Sequence, residues 1–215
     1  MPLLLVDLDN TLVDRAIAFK AWATSYVATL GAPASDVDWL IEVDGDGFVD
    51  LDVLAGAMRD RYELDGQSVA DLVEEFRVGL SAEVQPEDGV IPALGRAAAA
   101  GWTPFVVTNG TVIQQERKLS RTGLDQHVAG WIVSEGAGAR KPDRLIFELA
   151  ATQAGVPLDD GWMIGDSGEA DIAGARNAGI SSVWLRRGRE WSISEFRPTR
   201  IADSCAAAIE SIIAR

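Results

Sequence analysis

The chain has 215 residues, a formal net charge of -14, and 47% hydrophobic and 24% charged residues; that length fits one domain, or a core carrying a smaller insertion, around a packed interior. So acidic a balance argues against a nucleic-acid backbone or an anionic membrane surface as main partner, and a site for anionic substrates would need positive charge supplied locally, as by a bound metal ion. The single cysteine, Cys205, excludes an internal disulfide framework and a cysteine-built zinc site.

Leu3 to Val6 form a continuous apolar run, too short for a helix and followed at once by Asp7. That pattern predicts a buried strand of a parallel sheet. No basic segment precedes it and no apolar stretch in the chain approaches 18 residues, so neither a secretion signal nor a membrane span is expected and the protein is placed in the cytoplasm.

Residues 14–88 then depart from strand–helix alternation. Phe19, Ala23, Tyr26, Val27 and Leu30 recur at helical spacing before Gly31, and Leu51, Leu54, Ala55, Met58 and Tyr62 repeat the pattern. Val69, Leu72, Val73, Phe76 and Leu80 form a third helix, with Ser68 as its cap and Asp71 three residues on; a shorter helix covers 35–43. This stretch reads as an inserted all-helical module hinged near residues 12–14 and 85–89. Asp44-Gly45-Asp46-Gly47 invites a calcium-loop reading, which fails because Phe48 and Ala55 stand where oxygen ligands are required. Two readings of this loop stay open: a substrate contact through Asp46 or Phe48, and an ordinary solvated turn.

Further apolar runs follow at Pro104 to Val107, Trp131 to Val133, Trp162 to Ile164 and Ser182 to Leu185, separated by helical patterns such as 143–155 and 169–179, each closed by a glycine. The expected fold is α/β: a Rossmann-like parallel sheet with helices on both faces, formed by residues 1–13 and 89–215, plus the helical insertion at 14–88. His127 reads as structural, the glycines around Ala137 as a flexible approach to Lys141, and Arg186, Arg187 and Arg189 as a solvated basic turn, with substrate contacts as the alternative.

In such sheets ligands bind at the carboxyl ends of the strands. Those ends carry Asp7 and Asp9, then Thr108 and Asn109, then Asp166, with Lys141 a short loop beyond the third strand. Carboxylates from two strands can hold a hard divalent cation such as magnesium. Thr108 and the amides near Asn109 and Gly110 can bind phosphate oxygens, and Lys141 can neutralise charge on a nucleophile and a phosphoryl group.

Four ordered motifs, Asp7-Leu8-Asp9-Asn10-Thr11-Leu12, Thr108-Asn109-Gly110, Lys141-Pro142-Asp143 and Gly165-Asp166-Ser167 with Asp171 beyond, resemble those of the haloacid dehalogenase-like hydrolase superfamily over nearly the whole chain. The resemblance implies a magnesium-dependent phosphatase with a helical cap after the first strand, acting on a small phosphorylated metabolite. It implies Asp7 as covalent nucleophile, Asp9 as general acid and base, and Lys141 as a further catalytic and phosphate-binding group. Thr108 and Asn109 would hold the phosphoryl group, while Asp7, Asp166 and the backbone carbonyl of Asp9 would ligate magnesium. Asp171 would support the metal shell or orient Lys141. A carboxylate at Asp9 favours phosphate esters over halides, since a departing halide needs no proton. Ala170 and Gly168 depart from the family pattern, which leaves the role of Asp171 open between those two. A sugar phosphomutase and a catalytically inactive binding protein are the alternatives, and either a monomer or a homodimer is compatible.

Overall fold

The computed structural model describes residues 1–47 and 49–214, so the reading of Phe48 as a substrate contact lies outside the described residues. The chain divides into two compact units, residues 1–14 with 86–215 and residues 15–85.

The first unit is built on β1 (Leu3–Val6), β2 (Thr103–Thr108), β3 (Trp131–Val133), β4 (Trp162–Gly165), β5 (Ser181–Leu185) and β6 (Arg200–Ala202). These pair in the order β3-β2-β1-β4-β5-β6, every pair parallel. All four residues of β1 and all six of β2 are buried, as expected of strands covered on both faces. Because successive side chains alternate between faces, Leu3 and Leu5 pack with Phe105, Val107 and Met163, against Ile146 and Phe147. The central Rossmann-like sheet expected from the apolar runs is thus present. The sixth strand is an addition, because β6 is short and partly exposed and leaves no apolar run in the sequence.

Helices of this unit are α5 (Val90–Ala99), α6 (Val112–Thr122), α7 (Ser134–Ala137), α8 (Arg144–Ala154), α9 (Ala173–Ala178) and α10 (Cys205–Ile213). α5 and α10 pack together and reach β2 and β4, while α8 covers β2 and β3. Gly155 and Gly179 close α8 and α9 with φ of 68° and 78°, the left-handed conformation that glycine adopts without steric cost. The approach to α9 is a π-helical turn, Gly168–Ile172, that carries Asp171.

The second unit consists of α1 (Arg15–Thr29), α2 (Asp36–Asp44), α3 (Leu51–Arg61) and α4 (Val69–Glu83). Ser68 and Asp71 form a reciprocal capping box at the start of α4, worth about 1 kcal/mol. Phe19, Trp22, Tyr26 and Phe76 make a contiguous aromatic core between α1 and α4. Gly79 permits this approach, since a Cβ there would lie 2.5 Å from the Trp22 ring. Asp44, read from sequence as a loop acid, is buried and paired with Arg15 through two hydrogen bonds of 2.7 Å. Asp46 sits in the turn Gly45–Gly47 at φ 58°. No helix among the described residues is long and apolar enough to cross a membrane.

Candidate active site

Asp7 follows β1 directly, and its backbone amide donates to Ile164 of β4, which fixes the strand end that carries it. Its carboxylate meets the Lys141 ammonium at 2.5 Å, and the same ammonium donates to Asp171 at 2.7 Å. The second oxygen of Asp171 accepts from the Ser167 backbone amide at 2.9 Å. Asp166, just past β4, completes a cluster: carboxylate oxygens of Asp7, Asp166 and Asp171 all lie within 4.8 Å of one another, and all three residues are buried. Gly165 makes room for it, because any side chain there would collide with the Asp171 carboxylate. The loop of Lys141 is secured by Asn109, whose side chain accepts from the Lys141 amide at 2.9 Å and donates to the Lys141 carbonyl at 3.1 Å.

Burial and neighbouring carboxylates raise the proton affinity of a carboxyl group. Burial, reinforced by Asp171 and Asp166 and opposed by Lys141, pushes Asp7 from 3.8 to about 8. Burial and Asp171 push Asp166 to about 7 against the pull of Arg189. Burial disfavours the charged form of Lys141, yet Asp171 and Asp7 outweigh it and hold the ammonium well above its ordinary value. When all three carboxylates are ionised, as metal ligands must be, they outnumber the cations Lys141 and Arg189 that contact them. An all-oxygen donor set with uncompensated negative charge fits a hard divalent cation.

Asp9 is not part of that carboxylate cluster. Lys118 of α6 donates to both of its oxygens, at 2.7 and 2.6 Å, and Gln115 donates to one at 3.1 Å. The Asp9 carboxylate is thus engaged by α6; the metal role expected of Asp9 is that of its backbone carbonyl. Asn10 adopts φ 57° in this turn, a left-handed conformation for which asparagine is among the better-suited residues. The Leu8 carbonyl gathers the amides of Thr11, Leu12 and Val13. Thr108 is buried at the end of β2, and its hydroxyl accepts from Gln115 at 2.6 Å.

Two observations bear on the neighbouring residues. The side chain of Asn109, a residue expected at the phosphoryl group, is bonded at both ends to the Lys141 backbone. The Gly110 amide, expected among the phosphate donors, donates to the Ser134 hydroxyl at 3.0 Å. Every other side chain expected at the site lies at a strand end or one loop away from it, and Asp7, Lys141, Asp166 and Asp171 are brought into mutual reach.

The sequence reading missed Gln115 and Lys118, and it favoured a solvated turn for Arg187 and Arg189. Gln115 and Lys118, three apart on α6 and so on one helix face, are both about 1% exposed. Arg189 donates to the Asp166 carbonyl and carboxylate at 2.8 and 2.9 Å, and Arg187 reaches the Asn10 carbonyl at 3.1 Å. The basic turn is therefore directed in part at the site rather than wholly solvated; only Arg186, paired with Asp203, faces away from these residues.

A family model described as haloacid dehalogenase-like hydrolase matches residues 1–179. A phosphoglycolate phosphatase of Agrobacterium fabrum is 31% identical over 211 residues, covering 96% of this chain and 90% of that protein. A glyceraldehyde 3-phosphate phosphatase of Methanopyrus kandleri is 35% identical over 121 residues, 56% of this chain and 52% of that one, so this match spans about half of the relative. Among solved structures, a 2-haloacid dehalogenase of Pseudomonas syringae superposes with a TM-score of 0.65 at 25% identity, covering 100% of this chain and 99% of that chain.

Proposed function

The chain belongs to the haloacid dehalogenase-like hydrolase family, and from that premise we propose that it is a magnesium-dependent phosphatase of small phosphomonoesters, working through an aspartyl-phosphate on Asp7. The observation that carries this reading is the buried Asp7, Asp166 and Asp171 cluster bridged by Lys141, with the carboxylate of Asp9 two residues from the nucleophile. The dehalogenase likeness leaves the fold neutral between halide and phosphate chemistry. Asp9 decides between them: a carboxyl group at this position serves an ester, whose leaving oxygen needs a proton.

In the first step a carboxylate oxygen of Asp7 bonds to phosphorus while the ester P–O bond breaks, and the leaving oxygen takes a proton from the Asp9 carboxyl. In the second step water attacks the phosphorus of the aspartyl-phosphate and gives its proton to the Asp9 carboxylate. The P–O bond to Asp7 then breaks, inorganic phosphate forms and the Asp7 carboxylate is restored. Lys141 neutralises Asp7 as it approaches an anionic substrate and stabilises the charge of the transferring group. Thr108 lines the phosphoryl side, while Asn109 holds the Lys141 loop in place. Magnesium, held by Asp7, Asp166 and the Asp9 backbone carbonyl, would supply charge stabilisation for the phosphoryl oxygens. Asp171 orients Lys141 through their 2.7 Å contact.

The test is phosphate release from a panel containing phosphoglycolate, glyceraldehyde 3-phosphate and other phosphomonoesters, with and without magnesium. Release that needs magnesium and vanishes in Asp7→Asn supports the reading. No release from any ester overturns it, and interconversion of sugar phosphates without net release would make the protein a mutase.

A further inference from the structure

Lys118 has no place in the steps just described, yet it is 1% exposed and its ammonium contacts both oxygens of Asp9. Burying an ammonium costs several kcal/mol unless it is well paired, and an apolar side chain of similar size usually serves stability at least as well. The same helix leaves Ile113 71% exposed, so α6 turns an apolar residue outward and a charged one inward. Gln115 adds a second constraint, because one amide nitrogen donates both to Asp9 at 3.1 Å and to Thr108 at 2.6 Å. The acid–base carboxylate and the hydroxyl on the phosphoryl side are thereby tied to a single helix face.

We propose that Lys118, with Gln115 beside it, is a positioning residue that holds the Asp9 carboxylate in the orientation needed to exchange a proton with the leaving oxygen and with the attacking water. The proposal rests on the acid–base role of Asp9 in the reading above. An unrestrained aspartate samples several rotamers, and a reacting group displaced by about 1 Å can lose about 100-fold in rate. Lys118 removes that freedom by engaging both oxygens, and Gln115 sets the carboxylate in register with Thr108.

The deciding measurement is stopped-flow turnover of dinitrophenyl phosphate by the full chain with magnesium. Its leaving group departs without a proton, so phosphorylation of Asp7 does not need Asp9, whereas hydrolysis of the aspartyl-phosphate does. Lys118→Met is expected to keep a rapid burst of dinitrophenolate of wild-type amplitude while steady-state turnover falls about 10- to 100-fold. The burst amplitude counts folded, competent sites, so a misfolded variant would show none. Lys118→Arg, which keeps a cationic donor pair, is expected to restore most of the steady-state rate and tells positioning from loss of packing.

Asp9→Asn serves as the reference. If it keeps the burst and loses steady-state turnover while Lys118→Met behaves as wild type, the positioning role fails and the Asp9 role stands. The same holds if Lys118→Met loses burst and steady state in proportion although Lys118→Arg is folded and fully active. If Asp9→Asn turns over normally, the acid–base reading fails and the Lys118 role with it.

Discussion

Two buried lysines grip two aspartates that stand two residues apart after β1, and their surroundings differ. Lys141 lies between Asp7 and Asp171, and Asp166, paired with Arg189, completes the cluster, so two cations meet three carboxylates. Lys118 grips Asp9, with both carboxylate oxygens engaged. In the first arrangement burial, reinforced by neighbouring carboxylates, drives up carboxyl proton affinities, Asp7 to about 8 and Asp166 to about 7. The second restrains a side chain. A lysine in an acid-rich pocket thus marks a cation and anion site, whereas one matched to a single carboxylate marks a group that has to be held in place.

The strongest way to break this contrast is at the nucleophile. Asp7→Asn is expected to lower phosphate release by at least about 10⁴-fold on all esters alike, read by phosphate assay after mass spectrometry has excluded deamidation back to aspartate. Lys141→Met should follow with a loss of about 10³-fold that does not depend on the leaving group, because the charge it supplies is needed whatever departs. A loss confined to poor leaving groups would erase the distinction between the two lysines.

Metal removal sharpens the comparison from the other side. Chelation is expected to abolish turnover, and readdition of magnesium to restore it. Magnesium should raise the melting temperature of the wild type and do so far less in Asp166→Asn, while Lys118→Met should retain the wild-type shift. An undiminished shift in Asp166→Asn, followed by calorimetry, would remove Asp166 from the metal site.

Stability gives a smaller separation. Removing Lys141 leaves buried carboxylates facing one another, and Lys141→Met is expected to cost about 3 kcal/mol in urea unfolding without metal. Asp9 is partly exposed and regains water when its partner is lost, so Lys118→Met should cost about 1 kcal/mol. The smallest effect is expected at Gln115→Leu, a fall of about threefold in turnover from the loss of a neutral hydrogen bond between Asp9 and Thr108. Equal unfolding costs for the two lysine variants would mean that their surroundings are electrostatically alike.

The central strands were legible because each is a continuous apolar run ending in acidic or turn residues; β1 and β3 occupy the spans expected of them. Helices α1, α3 and α4 were legible from apolar spacing, and the Ser68–Asp71 capping box stands where that spacing placed it. The β6 strand was not, since three partly exposed residues carry no periodic signal. Asp44 was misread because its partner Arg15 lies 29 positions away, and nothing local in the turn signals burial. Lys118 and Gln115 were invisible for a related reason: α6 is polar along most of its length, so its inward face does not stand out by hydropathy. Arg187 and Arg189 reach Asn10 and Asp166 through long side chains whose direction no local pattern specifies.

By itself the sequence determined which chemical groups arrive at the carboxyl edge of the sheet, because strand ends are set by where apolar runs stop, and that placed Asp7, Asp9, Thr108, Lys141 and Asp166 on one rim. Only the tertiary structure decided how those groups are shared out. It gave Lys141 to Asp7 and Asp171, tied the Asn109 side chain to the Lys141 backbone, and assigned Asp9 to a lysine that the sequence offered as one more charge on a polar helix. Pairing among buried charges depends on distances of a few ångströms between residues up to 134 positions apart, and those distances exist only once the sheet has brought its strand ends together.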